Sequence, residues 1–340
     1  MKAVGLYKYL PIDETDSLLD LEVERPNPTG KELLVSVKAI AVNPVDTKMR
    51  APQDKVEKAP RILGWDAAGV VEAVGPDVTL FSQGDEVFYA GSFIDPGCNS
   101  EFHLVDERIV GGKPKCLDFA QAAALPLTSI TAWEALFDRL GIDSGGSDRG
   151  RQLLIIGGAG GVGSIATQFA KQVAELTVTV TASRPESQAW CKELGADHVI
   201  NHYLDIPEQM SQLGIAEYEF ILCLNDTDKY WQTMAALIAP QGKICSIVET
   251  AAYVDLGTLK SKSATFVWEF MFTRSMYETD DMIEQHHLLN NVSDLVDAGT
   301  IRTTVNKVLE PISSKNLKAA HAEIENRHTT GKIVLQGWGS

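Results

Sequence analysis

Leu153-Leu154-Ile155-Ile156-Gly157-Gly158-Ala159-Gly160-Gly161-Val162-Gly163-Ser164-Ile165-Ala166-Thr167-Gln168-Phe169-Ala170 is the stretch that decides the fold. The four leading apolar residues read as a buried strand. After the glycines, Val162, Ile165, Ala166, Phe169 and Val173 fall on one stripe of a helix. Between them, Gly158-Ala159-Gly160-Gly161-Val162-Gly163 fits G-x-G-x-x-G. Alone the motif is weak. Placed between strand and helix it gains a mechanism: glycines allow a tight turn and close approach of backbone to a pyrophosphate, and the helix start supplies free N–H groups and a positive dipole end. The competing reading is a Gly-rich turn that binds nothing. The segment 152–170 is uncharged for long enough to span a bilayer, but its five glycines and its Gln152, Ser164, Thr167 and Gln168 argue for a turn in an α/β unit.

Outward from the loop, short apolar runs alternate with helical stretches. Strands are expected at 153–156, 177–182, 198–200, 220–224 and 243–248, and helices at 162–173, 185–194 and 229–238. That alternation predicts an α/β unit with a doubly wound parallel sheet. The first third differs. Segments 33–42, 67–74 and 86–89 are β-rich, with turn residues between them, and predict a compact, mostly β domain. A helical stretch is expected over 119–140, interrupted at Pro126. The tail predicts a helix near 281–298 and a strand at 332–335. The expected division is a substrate domain of residues 1–125 with 276–340, and a nucleotide domain of residues 126–275.

Charge and cysteine content exclude several classes. Of 340 residues, 30 are Lys or Arg and 46 are Asp or Glu, for a net charge of −16. Neither nucleic acid nor an anionic membrane surface suits such a chain. A hydrophobic fraction of 44% with 22% charged residues is globular rather than disordered composition. Cys98, Cys116, Cys191, Cys223 and Cys245 include no C-x-x-C pair, and their odd number suits reduced, mostly buried thiols of a cytoplasmic protein. The start, Met-Lys-Ala-Val-Gly-Leu-Tyr-Lys-Tyr-Leu, lacks the apolar core of a signal peptide. None of the seven histidines stands at a zinc-ligand spacing, so no metal is expected.

The second strand indicates which dinucleotide. Sites for NAD carry an acid there for the ribose 2′-hydroxyl. Here the strand runs into Ser183-Arg184-Pro185 with no acid. Ser183 and Arg184 suit a 2′-phosphate, so NADPH is expected. The plainer reading is a helix N-cap before Pro185, and both roles are compatible.

These residues, with Asn43-Pro44-Val45-Asp46-Thr47, Leu63-Gly64-Trp65-Asp66-Ala67-Ala68-Gly69, the run 122–136, the segment 194–202, Phe266-Val267-Trp268-Glu269-Phe270-Met271-Phe272 and Thr330-Gly331-Lys332-Ile333-Val334-Leu335, resemble the medium-chain dehydrogenase/reductase superfamily. Within it the chain is similar to the zinc-independent quinone oxidoreductase branch, in the group termed zinc-type alcohol dehydrogenase-like proteins. The resemblance covers essentially the whole chain. It implies a Rossmann nucleotide domain, a GroES-like substrate domain, a cofactor cleft between them, and a homodimer. Zinc members carry Cys and His where this chain has Asn43 and Trp65, and an indole is no zinc ligand while a neutral amide is a poor one.

By the same resemblance Asn43, Asp46, Trp65 and Thr128 are the candidate catalytic residues. Asn43 would hydrogen-bond the nicotinamide ribose or a substrate oxygen. Asp46 is catalytic or holds its loop, and Trp65 either offers a flat face to the acceptor or is core. Gly158 to Gly163 (Gly158, Ala159, Gly160, Gly161, Val162, Gly163), Ser183 and Arg184 would hold the phosphates. His202 and Asn225 would lie beside the adenosine and its ribose. Ser246, Val248, Phe266, Trp268 and Phe270 would approach the nicotinamide; for the aromatics the alternative is dimer or core packing. Lys332 is read as a solvent-facing strand residue in preference to one reaching the phosphates. The expected activity is NADPH-dependent hydride transfer to a quinone or similar conjugated carbonyl. Rivals are an enone reductase, which needs a proton donor such as a tyrosine (Tyr89 among them), an NADPH-binding sensor, and a true zinc alcohol dehydrogenase.

Overall fold

Residues 1–339 are described by the structure, a computed structural model. The chain divides into two compact units, residues 1–130 with 272 onward, and residues 131–271.

In chain order the first unit begins with β1 (Lys2–Tyr9), β2 (Leu19–Glu22), β3 (Glu32–Val42), helix α1 (Pro44–Arg50), β4 (Gln53–Ile62), β5 (Ala67–Val74), β6 (Glu86–Tyr89), β7 (Phe102–Asp106), β8 (Val110–Gly112), α2 (Phe119–Ala123) and α3 (Pro126–Trp133). Helix α3 runs across the division, and the last turn of this helical stretch, Glu134–Arg139, is wound as a π-helix and belongs to the second unit. The second unit continues with β9 (Gln152–Ile156), α4 (Gly161–Gln172), β10 (Thr177–Thr181), α5 (Pro185–Glu193), β11 (His198–Ile200), α6 (Ile206–Leu213), β12 (Tyr218–Cys223), α7 (Thr227–Leu237), β13 (Ile238–Ser246) and β14 (Thr265–Trp268). The chain then adds α8 (Thr273–Tyr277), α9 (Glu284–Asp297), β15 (Val305–Leu309), α10 (Ser314–Glu325) and β16 (Lys332–Gln336) to the first unit.

The first unit is built on a seven-stranded sheet of order β15-β16-β3-β5-β6-β8, with β7 also paired to β3. β3 is long and β-branched, and nearly every residue after Glu32 is buried, because it is paired along its whole length. A smaller sheet, β2-β1-β4, was not expected from the sequence. β4 (QDKVEKAPRI) is polar, largely exposed and contains Pro60, so it lacks the apolar signal that marks a strand.

The second unit is the expected doubly wound sheet. Six strands run parallel in the order β11-β10-β9-β12-β13-β14. The order reverses at β9, so the crevice at the carboxyl ends of β9 and β12 is the topological switch point where open α/β sheets bind ligands. No helix among the described residues is long and apolar enough to cross a membrane.

Candidate active site

All the expected cofactor contacts in the second unit except Phe266, which lies within β14, fall at the carboxyl edge of its sheet. The glycine loop follows β9. Ser183 and Arg184 follow β10, His202 follows β11, Asn225 follows β12, Ser246 and Val248 close β13, and Trp268 and Phe270 close β14. The register makes them neighbours across strands: Ile156 pairs with Cys223, Cys223 with Ser246, and Ser246 with Trp268.

The glycines of the loop have different physical causes. At Gly158 an added Cβ would stand 2.5 Å from Val180 Cβ, and at Gly163 one would stand 2.3 Å from Gly157 O. Gly158 is demanded by close packing of the turn on β10, and Gly163 by close packing of α4 on the turn. Gly160 is different: an added Cβ would meet nothing nearer than Gly157 O at 3.9 Å. It is the N-cap of α4, with no side-chain cap. The first N–H groups of a 12-residue helix are therefore left for a ligand. Gly157 adopts φ +99°, and its N–H donates to Thr181 Oγ1 at 2.9 Å, which closes the turn. This arrangement fits a dinucleotide pyrophosphate.

Arg184 is the N-cap of α5, with Pro185 behind it, and its guanidinium lies 3.4 Å from Glu186. No acid stands at the tip of β10. His202 is half-buried and its ring packs against Tyr203, with centroids 4.5 Å apart. Burial, then the nearby Lys229 charge, hold its pKa below the usual value. Asn225 is exposed. Ser246 is fully buried, with its hydroxyl 2.6 Å from Thr227 Oγ1. Phe266 packs edge-on against Trp231 at 5.3 Å and Trp268 at 4.9 Å, while Trp268 and Phe270 are nearly half exposed.

In the first unit Asn43, Asp46 and Asp66 converge with Lys332 in one buried cluster. Lys332 opens β16 and is 3% exposed, which corrects the expectation that it faces solvent. Its three N–H groups have three acceptors: Asp66 Oδ2 at 2.8 Å, Val42 O at 3.2 Å, and Asn43 Oδ1. Asp66 is completely buried. It also accepts from Asn43 Nδ2 and from Leu127 N, each at 2.7 Å, so its charge sits at the start of α3 where the helix dipole favours it. Asn43 is 1% exposed, and both ends of its amide lie within the cluster instead of pointing to a ligand. Asp46 accepts from Asn43 N at 2.7 Å and so caps α1. Its burial pushes the carboxyl up to about 7, against the lowering effects of that hydrogen bond and of Lys332.

Trp65 takes its core reading. It is 1% exposed, with Phe93 stacked on one face at 5.7 Å, Phe272 at its edge at 6.2 Å, and Nε1 donating to Ser92 O at 2.9 Å. Thr128 is buried, with its hydroxyl donating to Leu125 O at 3.1 Å. Tyr89 is fully buried with its hydroxyl 3.1 Å from His103 Nδ1. Since His103 Nε2 lies 2.9 Å from Pro96 O, it carries the ring proton, and Tyr89 donates to Nδ1. The residue missed in sequence is Asp66. Its signal was available: it stands where the zinc relatives of the resemblance carry the acid of Gly-His-Glu.

Among the described residues no three His, Cys, Asp or Glu side chains group as a metal site. Where zinc members place ligands this chain has the Asn43 amide, the Trp65 indole and, beside them, the Lys332 ammonium. That donor set does not fit zinc.

Comparison with known proteins agrees with both units. The family model "Alcohol dehydrogenase GroES-like domain" matches residues 29–120, and "Zinc-binding dehydrogenase" matches residues 194–335. A zinc-type alcohol dehydrogenase-like protein of Staphylococcus aureus is 46% identical over 98% of this chain and 99% of its own. A putative zinc-dependent alcohol dehydrogenase from Rhizobium etli superposes with a TM-score of 0.95 at 54% identity, covering 100% of this chain and 99% of that one. The Escherichia coli quinone oxidoreductase, solved with NADPH, has a TM-score of 0.83 at 25% identity and covers 99% and 100%. With a GroES-like sheet unit, a Rossmann unit and these full-length relatives, the chain belongs to the medium-chain dehydrogenase/reductase superfamily of oxidoreductases, which bind nicotinamide dinucleotides.

Proposed function

We propose that the chain is an NADPH-dependent reductase that passes hydride to a quinone or similar conjugated carbonyl without zinc. The observation that carries this reading is the carboxyl edge of the parallel sheet: an uncapped α4 start beside a second strand that ends in Ser183-Arg184 with no acid. The first N–H groups of α4 receive the pyrophosphate. The Arg184 guanidinium takes the 2′-phosphate, a stronger acceptor than the exposed Glu186 it now faces. NADPH, when bound, supplies the hydride.

The Asn43–Asp66–Lys332 cluster supplies a fixed charge balance and no open metal position. That suits a quinone. Hydride addition leaves an anion spread over an aromatic ring, so orientation matters more than a Lewis acid. The NADPH-bound quinone oxidoreductase of Escherichia coli, similar over the whole chain, supports the same reading.

The reading extends to a cytoplasmic homodimer. Five free cysteines suit a reducing compartment, and β14 is an open edge of the sheet carrying exposed Trp268. The test is NADPH oxidation with 1,4-benzoquinone or 9,10-phenanthrenequinone, with NADH in parallel and a chelator added. Turnover that prefers NADPH and ignores the chelator is the expected result. Turnover abolished by the chelator, or an equal rate with NADH, refutes the corresponding part.

A further inference from the structure

Glu134 and Glu269 have no role in the site described so far. Glu134 opens the π-helical turn after α3, and Glu269 directly follows β14. Neither side chain is accessible, and both lie on one guanidinium. Arg139 Nε donates to Glu269 Oε2 at 2.8 Å, and its Nη2 lies 3.8 Å from Glu134 Oε2.

The charge count does not close with both acids ionised. One guanidinium balances one carboxylate, and a second buried carboxylate takes up a proton sooner than stay charged. Both carboxyls approach that guanidinium through Oε2, and a hydrogen bond between them is one of the causes that raise Glu269. Two ionised carboxylates have no donor to offer, so such a bond needs a proton. Glu269 Oε1 and Glu134 Oε2 each accept no hydrogen bond among the described residues, so the proton can sit on either carboxyl. β13 brings two further titratable groups to this side: Cys245, held as a neutral thiol by burial, and Lys243, whose Nζ donates to Leu140 O at 2.7 Å.

Glu269 is tied to the nicotinamide-side candidates through the backbone. Its N–H donates to Ser246 O at 2.9 Å, and Trp268 and Phe270 flank it. We propose that Glu134 and Glu269 share one proton over Arg139, and that Glu269 is thereby a positioning residue holding the Ser246–Trp268–Phe270 end of the sheet in register for the nicotinamide end of the cofactor. The positioning role rests on the dinucleotide reading above; the shared proton does not. Burial first, then the Glu134 charge, raise Glu269 to about 9. Loss of the proton puts two negative charges on one guanidinium and pushes the strand end away from the helix. Cofactor affinity is therefore full at neutral pH and falls as pH rises through that range.

The test uses the whole protein and the variants Glu269→Gln, Glu134→Gln and Glu269→Ala. Infrared spectra without cofactor are expected to show a carboxylic-acid C=O band in the parent at about pH 7.5 that Glu269→Gln and Glu134→Gln both remove and that fades by about pH 10. NADPH dissociation constants, from nicotinamide fluorescence, are expected to weaken about fivefold or more between those pH values in the parent. In Glu269→Gln, whose amide donates permanently to Glu134, the change stays under about twofold, while Glu269→Ala binds more weakly at both. Asp46, raised to about 7, adds a carboxylic-acid band of its own to every one of these proteins, so the parent-minus-variant difference decides: a parent that loses no band in either Gln variant overturns the shared proton. Equal pH dependence in parent and Glu269→Gln overturns the positioning role alone. NADPH binding to none of the proteins overturns that role together with the dinucleotide reading, and the infrared band still decides the proton.

Discussion

Replacing Lys332 by Met tests the buried cluster most directly. Among the described residues the ammonium is the only cation paired with Asp66, and both side chains are essentially inaccessible at 3% and 0%. Methionine keeps most of the volume and removes all three N–H donors. Asp66 keeps its bonds from Asn43 Nδ2 and Leu127 N but loses its counter-charge. Removing one partner of a buried pair costs about 3–5 kcal/mol, because the remaining charge is stranded. For a unit of 150–250 residues that corresponds to a melting temperature lower by about 6–20 °C. The pair itself is not worth that much, so Lys332→Met with Asp66→Asn should recover most of the loss. Urea titration of the parent, the two single variants and the double variant gives the coupling. A Lys332→Met cost below about 1 kcal/mol, or a double variant no better than the sum of the singles, refutes the stranded-charge argument.

Three further outcomes follow from the geometry. Gly160→Ala has room for its Cβ and should keep parental stability while weakening NADPH binding by at least about tenfold; Gly163→Ala, whose Cβ would stand 2.3 Å from Gly157 O, should instead lower stability by about 1–3 kcal/mol, and calorimetry beside fluorescence titration separates the two. Arg184→Ala should weaken NADPH about 10- to 100-fold and leave NADH within about twofold, read from steady-state KM for each. Asp46→Asn should remove a pH dependence of stability. A carboxyl raised from 3.8 to about 7 contributes stability that is complete below 3.8 and is lost as pH rises through 7, so the advantage of Asn grows over that window to about 1–4 kcal/mol and is flat above it in urea titrations.

The parallel sheet was legible because its cause is local. β9, the glycines and the α4 stripe lie within about twenty consecutive residues, and Gly158 and Gly163 report close approaches that no other residue tolerates. Helix α6 was missed because only Ile206 and Met210 of its residues are buried, which is too few for a clear stripe. The cluster was illegible for a different reason. Lys332 meets Asp66 across 266 residues of sequence and Asn43 across 289, and no periodicity encodes such a meeting. A lysine opening the strand Lys-Ile-Val-Leu-Gln was a usable hint. That strand pairs on both sides, with β15 and β3, so little of it can face water. Trp65 could not be divided between packing and recognition from sequence, because an indole serves either, and only the stacked Phe93 and the bond to Ser92 decide it.

The distance in sequence between Asp66 and Lys332 also sets a timetable for the newborn chain. At about 5–20 residues per second, the ribosome delivers Lys332 roughly 13–50 s after Asp66. Residues 131–271 emerge as one uninterrupted stretch and have all six strands of their sheet before then. The first 130 residues have no such completion. β3 waits for β16 along one edge, and Asp66 waits for its counter-ion. During that interval the amino-terminal sheet is the part of the nascent protein most in need of a chaperone, and a ribosome stalled before residue 332 yields a finished middle attached to an unfinished beginning.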